Sequence, residues 1–292
     1  MWIALSLLAA VANACYGVVL KSSVRYADVV LSTVVFRFVT GFLLLGVVLA
    51  RGPWPAVTPE YFRTLAMVLP PEVGGMFFMA LALREGDLSI VQPILGMTPV
   101  FVTLGAIGVL GEVPSPYAAV GILLVAAGVY CVGLETGGSW MEPLRSLARS
   151  RASWFALLAA IFWSVTSVLH KFGIAQVGAL PWAVSVTFGS AILLAFAVPL
   201  MRGHGEARRE RRPGRWTALM LGAGLFFAVH VFGIHTSLRL ASAGYVIAVA
   251  STGTLIATAF GIVILGERDR LRHRLAGAAL VTTGAVLVAA LG

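Results

Sequence analysis

Ten runs of apolar residues, each about 20 residues long, follow one another along the chain, with short polar connections between them. A helix of that length crosses the roughly 30 Å hydrocarbon core of a membrane. The runs are continuous, whereas the strands of a membrane barrel alternate apolar with polar residues. The pattern therefore predicts ten membrane-spanning helices, over residues 2–20, 29–50, 61–83, 88–110, 116–134, 153–172, 180–201, 216–238, 242–265 and 272–291.

Composition supports an all-α integral membrane protein. Hydrophobic residues make up 59% of the 292 residues and charged residues only 11%. The mean hydropathy of +0.95 is far above that of a soluble domain. The charges fall in the short connections, so no run of the chain remains from which a separate soluble domain could form.

The second half of the chain repeats the first. An offset of 150 residues places LLAAVANACYGVVLK (residues 7–21) over LLAAIFWSVTSVLHK (residues 157–171). An offset of 155 places Gly111-Glu112 over Gly266-Glu267. The alignment predicts two five-helix repeats, residues 1–134 and 153–292, joined by a loop over residues 135–152. Because five is odd, the second repeat enters the membrane from the opposite face, which makes the repeats inverted.

Basic residues are distributed unequally between the two sets of connections. The connections after even-numbered helices and the segments next to them hold only four: Arg51, Arg63, Lys171 and Arg239. Those after odd-numbered helices hold sixteen: Lys21, Arg25, Arg84, Arg145, Arg149, Arg151, Arg202, Arg208, Arg209, Arg211, Arg212, Arg215, Arg268, Arg270, Arg272 and Arg274. The positive-inside rule then places the odd-numbered loops in the cytoplasm and both termini outside, in a plasma-membrane protein. It also explains the net charge of +9 without a nucleic-acid partner.

Three short motifs carry a resemblance to a known family. They are Arg37-Phe38 in the second helix, Thr98-Pro99-Val100 in the fourth, and Gly-Glu after helices four and nine. With the five-helix repeat, they make the chain resemble the ten-helix drug/metabolite transporter superfamily, EamA-type branch. The resemblance implies transport of a small metabolite, without naming the substrate. The membrane-embedded Glu of the small multidrug members has no match here, and Asn13 is the polar residue in that region of helix one.

Glu72 is the foremost candidate for a binding residue, because a carboxyl inside a membrane helix is costly and usually tied to a cavity or a partner. It follows Pro70-Pro71 and precedes Gly74-Gly75, so we expect helix three to be bent or opened there. Its carboxyl could bind a substrate amine or carry a proton. The alternative is a structural ion pair, with Arg37 as the nearest candidate partner.

Helix eight, the repeat partner of helix three, carries His230 and His235. His230 corresponds to Gly75, about one turn from Glu72, so both halves could direct a polar side chain into one cavity. Five residues separate the two imidazoles by about 140° around the helix, which does not suit a metal site. We expect only one to face the cavity; a packed, singly hydrogen-bonded histidine is the alternative for each.

Pro and Gly interrupt helices four and nine at matching positions, which in transporters indicates a binding site. Ordinary kinking of membrane helices is the alternative. The remaining candidates for the cavity wall are polar or aromatic side chains of helices one, four, six and nine. They are Asn13, Tyr16, Gln92, Thr98, Trp163, Ser251, Thr252 and Thr254.

Other positions have structural interpretations. Gly121 and Gly128, like Gly277 and Gly284, are seven residues apart, which predicts close contact of helices five and ten. Glu112 is expected to cap the start of the helix that follows it, and Lys171 to reach the membrane interface.

The sequence thus predicts a secondary transporter for small polar metabolites, amino acids foremost, that exports them by alternating access. Protons are the candidate coupling ion, no cofactor is implied, and a monomer is compatible with the sequence. A lipid-linked precursor flippase of the same fold is the first alternative. An intramembrane enzyme is the second, and no catalytic motif supports it.

Overall fold

The computed structural model describes residues 1–23, 26–85, 91, 94–133, 141, 150–201, 213–253, 255–256 and 271–291. These residues contain helices and their connections, with no strand. The helices are α1 (Trp2–Ser23), α2 (Val29–Arg51), α3 (Pro59–Glu85), α4 (Thr98–Leu110), α5 (Pro116–Gly133), α6 (Arg151–Val177), α7 (Ala179–Met201), α8 (Pro213–Leu240), α9 (Ala243–Ala250) and α10 (Leu271–Leu291).

Six of these helices, α1, α2, α3, α6, α7 and α8, are long and apolar enough to cross a membrane. The apolar parts of α4, α5 and α10 are shorter. Large apolar side chains cover the outside of the bundle; Phe42 is 64% exposed and Phe196 is 74% exposed. Such a surface suits hydrocarbon rather than water. The length, composition and surface of these helices are those of a multi-pass membrane protein.

Helices α4 and α9 are interrupted by turns at equivalent positions. The N–H of Met97 donates to the carbonyl of Ile94 at 3.1 Å, and the N–H of Thr252 donates to that of Val249 at 3.1 Å. The next two hydrogen bonds correspond as well. The N–H groups of Val100 and Phe101 donate to the carbonyl of Met97, and those of Leu255 and Ile256 donate to the carbonyl of Thr252. An offset of 155 relates all three pairs. The predicted helices over 88–110 and 242–265 are each divided by such a turn: Ile94 and Leu95 are helical before α4 begins at Thr98, and Leu255 and Ile256 are helical after α9 ends at Ala250. Residues 88–90 and 257–265 lie outside the described residues.

The most extensive helix pairings join the two halves of the chain. They are α1 with α8, α3 with α6, α2 with α7, and α5 with α10. In the repeat, α1 corresponds to α6 and α3 corresponds to α8. Exchanging each helix with its counterpart therefore converts the α1–α8 pairing into the α6–α3 pairing. The same exchange leaves the α2–α7 and α5–α10 pairings unchanged. The packing therefore has the two-fold character that a repeated sequence leads one to expect.

Glycines bring α5 and α10 into backbone contact, as their spacing predicted. A β-carbon added at Gly121 would lie 2.7 Å from the carbonyl oxygen of Gly284. One added at Gly128 would lie 2.7 Å from the carbonyl oxygen of Gly277 and 2.6 Å from Val281 Cγ2. Contacts this short leave no room for a side chain, so the glycines set the separation of the two helices.

Glu112 joins the halves at the end of the bundle where α4, α6 and α8 finish. Its Oε1 forms an ion pair with Lys171, which also donates to the carbonyl of Ala241 at 2.9 Å. Its Oε2 accepts the N–H of Ala243 at 2.9 Å, at the start of α9. Glu112 therefore caps α9 of the other half and not α5, contrary to the sequence prediction. Lys171 likewise binds a carboxylate instead of extending freely to the interface.

The hydrogen bonds to Glu112 outweigh its desolvation. Burial by itself would raise the pKa of this carboxyl, but Lys171 and the N–H of Ala243 stabilise the charged form, so the pKa of Glu112 lies below its usual range. A depressed pKa in the folded state means stability that is present above the unfolded pKa, about 4.3. This stability is lost as the pH falls through the folded-state pKa.

Substituting Gly128→Ala should lower the free energy of unfolding by about 1–3 kcal/mol, because the added methyl overpacks the seam between α5 and α10. Thermal unfolding of the detergent-solubilised protein measures the change. Gly46→Ala is the matched control, since a β-carbon at Gly46 meets nothing within 4 Å. An unchanged melting temperature for Gly128→Ala would contradict the seam.

Substituting Glu112→Gln should lower the melting temperature at pH 7, and the difference from the unsubstituted protein should shrink as the pH falls below about 4. Glu60→Gln serves as the control, because Glu60 is an exposed carboxylate in the first turn of α3. A difference between Glu112→Gln and the unsubstituted protein that is as large at pH 3 as at pH 7 would refute the role given to the ionised Glu112.

Candidate functional site

A buried ion pair lies between the two halves of the bundle. Arg37, in the middle of α2, donates from Nη2 to Oε1 of Glu72 on α3 at 3.2 Å. The Arg37 side chain is 5% exposed and that of Glu72 is 14% exposed. Arg37 also donates from Nη1 to the hydroxyl of Ser190 on α7. The sequence left open whether Glu72 binds a ligand or Arg37, and in this structure it contacts Arg37.

The surroundings of Arg37 are aromatic on one side. Its guanidinium carbon lies 5.1 Å from the centre of the Phe227 ring on α8, within the range of a cation–π contact. Tyr16 packs against Phe227 at 5.1 Å between ring centres, and against Phe36 at 5.0 Å. The predicted wall residue Tyr16 and Arg37 therefore both contact Phe227, a residue of the second half.

One nitrogen of the Arg37 guanidinium makes no hydrogen bond with the described residues. This nitrogen, Nε, is buried. A buried donor without an acceptor is unfavourable by roughly 1–3 kcal/mol. Ser190 presents its oxygen as the acceptor for Nη1, while its own proton goes to the carbonyl of Val186 at 2.7 Å. The pair thus retains the capacity to bind one more acceptor.

The two histidines of α8 lie in different surroundings. His230 stands beside Phe227, with 5.6 Å between the ring centres, and its Nδ1 is 3.0 Å from the carbonyl oxygen of Ala9. His235 instead lies 4.7 Å from the ring of His170 on α6, and its Nδ1 is 2.9 Å from the carbonyl oxygen of Val231. His230 is therefore the one that adjoins the aromatic residues around Arg37.

Trp163 of α6 lies close to Glu72 along α3. A β-carbon at Gly75, about one turn from Glu72, would lie 2.6 Å from Nε1 of Trp163. A β-carbon at Gly74 would lie 3.6 Å from Cε2 of Phe162. The small residues after Glu72 therefore admit the aromatic side chains of α6, which packs along α3.

The hydroxyl candidates lie at the breaks in α4 and α9. Thr98 donates to the carbonyl of Leu95 at 2.6 Å, Ser251 to that of Ile247 at 2.8 Å, and Thr252 to that of Val249 at 2.7 Å. Each hydroxyl thus donates its proton locally and could only accept a hydrogen bond from a ligand. Asn13 on α1 is exposed, and Gln92 and Thr254 lie outside the described residues.

Sequence reasoning missed three residues of this region. Ser190 and Phe227 hold Arg37, and His170 accepts a hydrogen bond on Nδ1 from Nε1 of Trp182 at 3.0 Å. A serine or a phenylalanine in an apolar run is too common in membrane helices to stand out. His170 precedes Lys171, and the pair could be interpreted as the polar end of a helix. Within the described residues no three His, Cys, Asp or Glu side chains form a group that could hold a metal.

Comparison with known proteins agrees with this architecture. The sequence model of the EamA-like transporter family matches the chain over residues 1–134 and again over 150–290. A Sinorhizobium sp protein described as "Uncharacterized transporter in cobO 3'region" is 26% identical over 140 residues, which are 47% of this chain and 96% of that protein. One solved crystal structure superposes with a TM-score of 0.79 at 18% identity, over 99% of this chain and 96% of its own.

The structural likeness, at that identity, concerns the fold alone. The two family matches cover nearly the whole chain, one in each half. Together with the apolar helices, they show that the chain belongs to the EamA-like transporter family and is a multi-pass membrane transporter, not an enzyme.

Proposed function

We propose that this transporter exports small zwitterionic metabolites, amino acids foremost, and that Arg37 and Glu72 bind them. The buried Arg37–Glu72 ion pair is the observation that carries the proposal. An amino acid has the same two charges in reverse: its ammonium group can replace Arg37 at Glu72, and its carboxylate can replace Glu72 at Arg37. The unpartnered Nε of Arg37 offers an additional donor to that carboxylate.

Energetics favour such an exchange over the binding of a singly charged solute. Removing one partner of a buried ion pair leaves the other charge uncompensated, which costs roughly 3–5 kcal/mol. A ligand that compensates both charges avoids this cost. Ser190 and Phe227 keep Arg37 in place when Glu72 is displaced, since they contact it independently.

The cavity wall is proposed to include the residues that surround the pair. His230, Tyr16 and Trp163 lie on the helices that carry or adjoin it. The breaks in α4 and α9 support a role for their hydroxyls as acceptors, because broken helices with equivalent positions in two repeats frame the substrate in many transporters. Asn13 is exposed on α1, and His235 packs against His170, so these two are weaker candidates.

Transport is proposed to occur by alternating access in a ten-helix bundle of two inverted repeats, residues 1–134 and 153–292, joined by residues 135–152. The helix pairings that exchange with one another support this division. The basic odd-numbered loops support a plasma-membrane orientation with those loops in the cytoplasm and both termini outside. Protons are the proposed coupling ion, with Glu72 as the carboxyl that could carry them.

Substituting Glu72→Gln should reduce counterflow of labelled amino acids into proteoliposomes about 10-fold or more, since a hydrogen bond to a charged group contributes roughly 1.5–3 kcal/mol. The assay uses a panel of amino acids at several pH values. Glu60→Gln is the control for loss of a carboxylate elsewhere on α3. No exchange of any amino acid by correctly folded protein would refute the proposed substrate class and favour the flippase alternative.

Arg37→Gln alone should lower the melting temperature, because it leaves Glu72 buried without a partner. Adding Glu72→Gln should recover much of the stability, as two neutral amides can bind each other, but exchange should stay low. This double variant separates the two roles of the pair. If Arg37→Gln/Glu72→Gln exchanges amino acids as rapidly as the unsubstituted protein, the pair is structural and the substrate binds elsewhere.

A further inference from the structure

A cavity distant from the ion pair opens at the end of the bundle where α2 and α8 finish and α7 begins. Its volume is about 320 Å³, within the range of small-molecule sites. Arg51 of α2 and Arg239 of α8 both line it, together with Thr236 and the first residues of α7. Arg51 is 14 residues beyond Arg37, about 21 Å along the helix at 1.5 Å per residue.

The lining of this cavity is basic without a compensating acid. Its twelve lining residues include two arginines and no Asp or Glu. The ion pairs of the described residues are Arg37–Glu72 and Lys171–Glu112, so Arg51 and Arg239 belong to neither. Both arginines are exposed, and their guanidinium groups remain accessible to a ligand.

The two arginines belong to a small set of basic residues. Only four of the basic residues belong to the even-numbered connections, and two of those four line a single cavity. Each arginine lies in the last turn of its helix, where a cation offsets the negative end of the helix dipole. That effect accounts for each arginine separately, but not for their sharing one cavity that lacks a carboxylate.

The remaining walls suit an anion as well. The first residues of α7, Ala179 to Pro181, line the cavity at the end of the helix where its dipole is positive, and Thr236 adds a hydroxyl. Guanidinium groups bind the oxygens of carboxylates and phosphates in pairs of hydrogen bonds. Phe232, Val48 and the prolines of the loop after α2 supply apolar walls for the rest of a ligand.

We propose that this cavity, which we name the outer oxyanion site, binds a carboxylate or phosphate group between Arg51 and Arg239. The residues come from both halves of the chain, α2 from the first and α7 and α8 from the second. The site does not depend on Arg37 or Glu72, so the proposal stands whether or not the protein exports amino acids. The oxyanion can belong to a free solute or to a lipid headgroup at the membrane surface.

Protection of arginines from phenylglyoxal tests the site. The full-length protein in phosphatidylcholine nanodiscs is labelled with and without millimolar inorganic phosphate, with chloride keeping the ionic strength constant, and peptide mass spectrometry measures each arginine. Phosphate should slow the labelling of Arg51 and Arg239 at least about 3-fold. Arg63, exposed near the start of α3 and absent from the lining, is the internal control and should be labelled at an unchanged rate.

A variant and a second lipid complete the test. In Arg51→Gln, phosphate should no longer protect Arg239, because one guanidinium is not enough. Protection in phosphatidylglycerol nanodiscs without phosphate would identify a lipid headgroup as the ligand, and protection by phosphate alone would identify a free solute. The proposal would be overturned if neither phosphate nor phosphatidylglycerol slowed the labelling of Arg51 and Arg239 more than that of Arg63. Protection of Arg239 that survives Arg51→Gln would also overturn it.

Discussion

The low dielectric of the membrane interior is the constraint on which this structure depends. A charge in that environment must be compensated, and Arg37 is compensated by Glu72, Ser190 and the ring of Phe227. These partners come from three other helices, so one guanidinium holds α2 to α3, α7 and α8. The same compensation makes the pair suitable for a ligand that carries both charges, because such a ligand can separate the two residues without leaving either charge bare.

The rest of the bundle keeps the surroundings of that pair in register. The glycine seam holds α5 against α10, and Glu112 of the first half binds Lys171 and the start of α9 in the second. The central helices lie between these contacts, where α4 and α9 are broken at equivalent positions. The two halves are thus joined by a closely packed seam and by a charged contact, with interrupted helices in each half.

Features that many residues or a fixed spacing encode were predicted from the sequence, whereas the partners of individual side chains were not. Apolar runs located nearly every helix, and the seven-residue glycine spacing predicted the α5–α10 seam, because both depend on many residues or on a fixed period. Pro and Gly indicated interruptions in helices four and nine, but not the positions of the turns, since a turn of two residues such as Gly96-Met97 changes little in an apolar run. The partners of Glu112, and the roles of Ser190, Phe227 and His170, depend on helices far apart in sequence.

A structure of the transporter with a bound amino acid, the one that exchanges most rapidly, tests the central claim most directly. The distance between the Arg37 guanidinium and the Glu72 carboxylate is the quantity to measure, for comparison with the 3.2 Å between Nη2 of Arg37 and Oε1 of Glu72 in this structure. The account predicts that the pair separates, with the substrate carboxylate on Arg37 and its ammonium group on Glu72. An intact pair with the amino acid bound elsewhere in the bundle would contradict it.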